Sequence, residues 1–142
     1  LAVDGFRELG RWMTMATPTQ GRTAFFASGH AYLGFTRHRP ALYAIMYNER
    51  VLARHERVRR AEAEAFEIYR RSLESLGLPE KDIADVALAF WAVGRGMASI
   101  SSRLGDGSPG VAKQVALRVM TGLEALTGAS LITMNKAASD VA

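Results

Sequence analysis

A chain of 142 residues with 49% hydrophobic and 23% charged residues can bury about two-thirds of its unfolded surface in one core, a composition that argues against a disordered chain. The net charge of +4 and pI of about 9.8 allow a nucleic-acid partner, but Arg37 and Arg39 lie apart from Arg50, Arg54, Arg57, Arg59 and Arg60, and Glu49, Glu56, Glu62 and Glu64 are interleaved with the second group, as on a solvated helix face. The lack of cysteine excludes disulfides and thiolate chemistry and makes a cytoplasmic home the default, the opening residues lack the basic and apolar regions of a signal peptide, and Arg95 interrupts the best candidate for a bilayer span, so no membrane role is expected.

Strand signals are almost absent, and helix punctuation recurs along the chain. Residues Leu1 to Thr17 carry Phe6, Leu9, Met13 and Ala16 on one stripe with Trp12 beside it, predicting an amphipathic helix. That helix begins without a cap, as expected of a continuation from a preceding segment. Thr17-Pro18-Thr19-Gln20 supplies a cap, a first-turn proline and a Gln three residues on, opening a helix that runs to about Arg37. Arg39-Pro40 stops it, because the residue before proline disfavours the helical region. Pro40 opens a short helix bearing Leu42, Tyr43, Ile45, Met46 and Tyr47.

From Val51 to Leu76 the pattern predicts one long polar helix with i,i+4 pairs Glu56–Arg60 and Glu67–Arg71 and an inward stripe of Val51 or Leu52, His55, Val58, Ala65, Phe66, Tyr69 and Leu73. Gly77 ends it. Pro79-Glu80 opens the helix that organises the rest, with Ile83, Val86, Ala87, Phe90, Val93, Met97, Ile100 and Leu104 on one face and Leu88, Trp91, Ala92 and Ala98 on others. A helix this apolar around its circumference is buried on more than one side. GDGSPG, residues 105–110, closes it, and Ser108-Pro109 caps a last helix to Leu126. That helix also has two apolar lines, Val111, Val115, Val119, Gly122 and Leu126 beside Ala112, Ala116, Met120 and Leu123. After Gly128 the period is lost and fraying is expected. The prediction is an all-α, six-helix, single domain over 1–142.

Catalytic and metal chemistry find little support. Gly94-Arg95-Gly96 starts like a dinucleotide fingerprint but lacks the third glycine and the preceding strand. His30, His38 and His55 have no metal-ligand spacing, and Ser99, Ser101 and Ser102 sit outside any nucleophile elbow. Glu62, Glu64 and Glu67 read as surface. No catalytic residue, metal or cofactor is therefore expected. Arg95 stands out, because a guanidinium among apolar residues must reach the surface, find a carboxylate or line a cavity. The large supply of aromatic and Met side chains fits a core, and equally the lining of an apolar pocket.

AYLGFTRHRPALYAIMY (Ala31 to Tyr47) resembles the Tyr, Phe, then His-Pro-x-Leu-Tyr-x-x-Met-Phe pattern in C-terminal domains of TetR-family transcriptional regulators. FWAVGRGMASI (Phe90 to Ile100) resembles the Trp-x-x-x-His-Gly segment of the branch called the WHG domain: Trp91 and Gly96 match, whereas Arg95 stands where that branch has His, and Arg39 precedes Pro40 where it has a neutral or acidic residue. The resemblance covers about Leu1 to Leu126. It implies a six-helix bundle of the TetR C-terminal type, binding a small, largely apolar effector and forming a homodimer through a four-helix interface of the last two long helices.

Candidate ligand contacts under that resemblance are Trp12, Phe26, His30, Tyr43, Tyr47, Phe66, Trp91 and Arg95. Candidate interface residues are Phe90, Met97, Ile100, Val115, Val119 and Leu123. DNA would be contacted only through an N-terminal helix-turn-helix head, expected to be absent from this chain, and effector binding would act by tilting the first helix. The alternative is a stand-alone helical module whose apolar faces dock another protein.

Overall fold

The structure, a computed structural model, describes residues 1–16, 22–105, 110–123 and 125–126. In chain order the elements are α1 (Ala2–Ala16), α2 (Arg22–His38), α3 (Pro40–Met46), α4 (Glu49–Arg54), α5 (Glu56–Ser72), a 3-10 turn (Leu73–Leu76) and α6 (Glu80–Gly105). Residues 110–123 form a further helix, α7, and no strand occurs among the described residues. The Thr17–Gln20 cap, the Ser108-Pro109 cap and the tail after Gly128 lie outside the described residues.

The chain divides into two compact units, Leu1–Ala98 and Ser99–Ala142. The core of the first follows the predicted stripes. Phe6, Leu9 and Met13 on α1 are buried, with Phe25, Tyr32 and Phe35 on α2, Met46 on α3, and Val58, Ala61, Ala65 and Tyr69 on α5. Spacings of three and four put each set on one helix face, and removing those faces from water drives the assembly. α1 packs on α5, α2 and α3, which together cover its apolar stripe and leave Arg7, Arg11 and Met15 exposed. α6 joins it through large side chains: Phe90 meets Phe25 edge-on at 5.2 Å, and Trp91 lies 5.1 Å from Tyr32 and 5.5 Å from Phe66.

The helix predicted over Val51–Leu76 is in fact interrupted. His55 adopts φ −122° and ψ 100°, ending α4 and preceding α5. Two local arrangements support the break. Asn48 Oδ1 accepts from the backbone N–H groups of Arg50 and Val51, at 3.0 and 3.3 Å, capping α4 as a separate helix. Arg59 then folds back so that Nη1 donates to the carbonyls of Leu52 and Ala53, at 2.7 and 3.0 Å, serving two acceptors at the end of α4. His55, expected on the inward stripe, is consequently exposed, whereas Val58, Ala65, Tyr69 and Leu73 are buried as expected. Gly77 takes φ 70°, the left-handed region that favours glycine, after the 3-10 turn.

The predicted pairs Glu56–Arg60 and Glu67–Arg71 form at 3.3 and 3.2 Å. An unpredicted bond ties Arg39 Nε to Glu8 at 3.0 Å, so the arginine before Pro40 links the α2–α3 junction to α1.

Glu80–Leu104 of α6 is long and apolar enough to cross a membrane by length and composition, an 18-residue window reaching a mean hydropathy of 1.4. The expectation that Arg95 would rule this out fails, because one charge barely lowers such an average. Only 28% of that window is buried: Ile83, Ala87, Trp91 and Met97 turn inward, whereas Leu88, Ile100 and Leu104 are exposed.

Candidate functional site

Tyr32 of α2 faces α3 and α6. Its hydroxyl shares a 2.8 Å hydrogen bond with that of Tyr43 on α3, and their rings meet edge-on at 6.1 Å. Tyr47, one turn further along, lies 4.8 Å from the Tyr43 ring. From α5, Phe66 and Tyr69 bring their rings to 5.5 and 5.6 Å from Trp91 of α6, which also touches Tyr32. Gly94 makes the approach of α6 to Tyr32 possible: a Cβ there would stand 3.2 Å from Tyr32 Cε1. The Gly-Arg-Gly stretch is thus a packing feature of a helix.

Above this cluster, Arg95 lays its guanidinium over the Tyr47 ring, with Cζ 4.2 Å from the centroid. Arg95 is exposed overall, so it reaches solvent while its head stays on the aromatic face. Glu62, read from sequence as surface, is half-buried within electrostatic reach of Arg95. Burial raises its carboxyl above the usual range and the Arg95 charge partly opposes this.

Burial pushes the phenols of Tyr32, Tyr47 and Tyr69 well above the ordinary tyrosine value and raises that of Tyr43. For Tyr32 the neighbouring Tyr47 and Tyr43 add to the effect, whereas for Tyr43 the bond to Tyr32 and the Arg95 charge oppose it. At neutral pH the four are therefore uncharged donors and acceptors. Tyr47 Oη is buried beside Tyr32 but completes no hydrogen bond of acceptable geometry. Ser28, one turn before Tyr32 on α2, likewise buries an Oγ without a partner. Such groups are costly unless something satisfies them.

Of the ligand contacts expected from sequence, Tyr43, Tyr47, Phe66, Trp91 and Arg95 come together here. Trp12 does not: it is half-buried and packs on Phe35 and His38, at 5.8 and 5.5 Å. His30 is exposed on α2, and the side chain of Phe26 lies outside the described residues. Sequence reasoning missed the roles of Tyr32, Tyr69 and Glu62. Glu62 was legible in principle, being four residues after Val58 and four before Phe66 on the inward side of α5.

Among the expected interface residues, Phe90 is turned onto Phe25 and Met97 is buried, whereas Ile100 is exposed and Val115, Val119 and Leu123 are half-buried. A separate groove of about 430 Å³ runs between α1 and α5, lined by Phe6, Gly10, Ala65 and Ile68 with the exposed Arg11 and Glu64, and it contains none of the expected ligand contacts. No group of His, Cys, Asp and Glu able to hold a metal ion occurs among the described residues.

The described fold is all helix, with aromatic side chains from four helices gathered under one arginine. Residues 25–123 match the family described as tetracyclin repressor-like, C-terminal domain, and the chain belongs to that family. Domains of this family are regulatory and in general not enzymes. No curated protein matches the chain.

Proposed function

We propose that this chain is the effector-sensing and dimerising part of a TetR-like transcriptional regulator, that its aromatic cluster receives a small, largely apolar ligand, and that it works in the cytoplasm. The observation that carries the reading is the convergence of Tyr32, Tyr43, Tyr47, Phe66 and Trp91 from α2, α3, α5 and α6, with Tyr47 Oη buried and unpartnered. A buried hydroxyl short of a well-formed hydrogen bond is a group that a bound molecule can satisfy.

The cluster is one ring contact from α1, since Tyr47 packs edge-on against Phe6 at 5.2 Å. A ligand that shifts Tyr47 would press on α1, the element that would lead to a DNA-reading head. Moving that equilibrium takes a ligand whose affinities for the two states differ by about 1–3 kcal/mol. Dimerisation through α6 and α7 is supported by exposed apolar residues in each unit: Leu88 is 60% exposed in the first, and Leu104 and Leu117 are 69% and 68% exposed in the second. Burying these side chains against a second copy would remove them from water.

The test is thermal denaturation of the chain against a panel of small aromatic and alicyclic compounds. A ligand at a hundred times its Kd should add about 2.7 kcal/mol, on the order of 10 °C for a chain of this size. Phe66→Leu should reduce that response. A panel that leaves the midpoint unmoved at millimolar concentration would remove the sensing role.

A further inference from the structure

We infer that the ligand of this cluster is a small aromatic monoanion, an aryl carboxylate whose ring packs onto the Arg95 side of the cluster and whose carboxylate takes the N–H edge of Arg95 and the hydroxyl of Tyr47. This deepens the ligand-site reading above and rests on it.

Two donors without a well-formed hydrogen bond to the protein meet at one ring. The Arg95 guanidinium spends its face on Tyr47, but its N–H edge makes no hydrogen bond or ion pair among the described residues. A guanidinium has five N–H donors and no acceptor, so what completes it must accept. Tyr47 Oη, on the same ring that Arg95 covers, is buried and unpartnered, and a neutral phenol also donates. A carboxylate is the small group that accepts from both, and its geometry matches the planar fork of arginine.

Charge and shape narrow the choice. A cationic ligand would find the Tyr47 face already holding a cation and would meet it as a like charge. Glu62 is the competing anion, but it forms no ion pair with Arg95 within contact distance and acts from further off, half-buried. A ligand carboxylate in direct contact replaces that distant attraction by short, charge-assisted bonds. The remaining lining is aromatic, so edge-to-face contacts favour a flat ring over a flexible chain.

The experiment is isothermal titration calorimetry of the whole chain with three probes of one shape: 2-naphthoate, the neutral 2-naphthamide and the cationic 2-naphthylmethylammonium. Naphthoate should bind roughly 10-fold or more tightly than the amide, as expected when one bond becomes charge-assisted. In Arg95→Gln, an exposed position whose folding circular dichroism can verify, that ratio should fall to near one while the amide keeps its affinity. Tyr47→Phe should weaken naphthoate by roughly 3-fold to 10-fold. Equal binding of acid and amide would leave the site standing and overturn the anion assignment. Tighter binding of the ammonium would overturn it in favour of Glu62 as the head-group partner. An undiminished preference in Arg95→Gln would place the carboxylate elsewhere and overturn it too. Failure of all three probes would sink both the assignment and the site.

Discussion

Gly94 and Gly96 lie two residues apart in α6, and the same substitution should act on them with opposite results. Alanine in a helix interior is favoured over glycine by about 1 kcal/mol. At Gly96 nothing lies within 4 Å of the added Cβ, so Gly96→Ala should stabilise by roughly that amount. At Gly94 the added Cβ would stand 3.2 Å from Cε1 and 3.4 Å from Cδ1 of Tyr32. Tyr32 has little room to withdraw, because its ring packs on Trp91 and Tyr43 and its hydroxyl is bonded to Tyr43 at 2.8 Å. Overpacking of this kind costs about 1–3 kcal/mol. Against the propensity gain, Gly94→Ala should come out between neutral and about 2 kcal/mol destabilised. The separation between the two variants is then about 1–3 kcal/mol, or roughly 4–12 °C in midpoint for a domain of this size. Thermal unfolding followed by circular dichroism, repeated at two protein concentrations to expose any change in self-association, measures it. Equal stabilisation by both alanines would mean that Tyr32 does not press on α6, and the aromatic cluster as described would be wrong.

Removing single hydroxyls tests which polar groups are used: Tyr43→Phe removes the 2.8 Å bond to the buried Tyr32 hydroxyl and should cost about 1 kcal/mol in urea unfolding, whereas Tyr47→Phe should be neutral or stabilising by up to about 1 kcal/mol. A loss of stability in Tyr47→Phe would reveal a partner for its hydroxyl. All four tyrosines have raised values, so the folded chain holds protons that the unfolded chain releases near pH 10, and their contribution to stability is full below that pH and lost as pH rises above it. Each adds about 1.4 kcal/mol of lost stability per pH unit, so phenolate absorbance should grow together with the loss of helicity; tyrosine ionisation near pH 10 in a fully helical chain would contradict the buried cluster. Asn48→Ala should cost about 1 kcal/mol and speed hydrogen exchange at the Arg50 and Val51 amides, and unchanged exchange there would show that the cap is not what holds α4. Val119→Asp should convert the proposed dimer to monomers in sedimentation velocity, and an unaltered mass would take Val119 out of the interface.

Much of the fold was legible because helix faces repeat at three and four residues. Phe6, Leu9 and Met13, and later Val58, Ala65 and Tyr69, were readable as inward stripes and are buried. The break at His55 was not, because no glycine or proline marks it. It is held by Asn48 from before and Arg59 from after, long polar residues whose bonds depend on where the chain turns. The site was legible in kind but not in membership. Aromatic residues on several helices announce a cluster, yet periodicity gives each ring only a direction. Trp12 and Trp91 both sit on apolar faces; one is paired with Phe35 and His38, the other with Tyr32, Phe66 and Tyr69.

The order of apolar and polar residues alone therefore determined that this chain is all helix, roughly where each helix runs, and which side of most of them leaves water, because those properties follow from local geometry. Which helices meet was decided only by the tertiary structure, and so were the placing of Arg95 over Tyr47, the half-burial of Glu62 and the pairing of Tyr32 with Tyr43. These contacts join residues distant in sequence, and a pattern that repeats every turn carries no record of which neighbour a side chain will find.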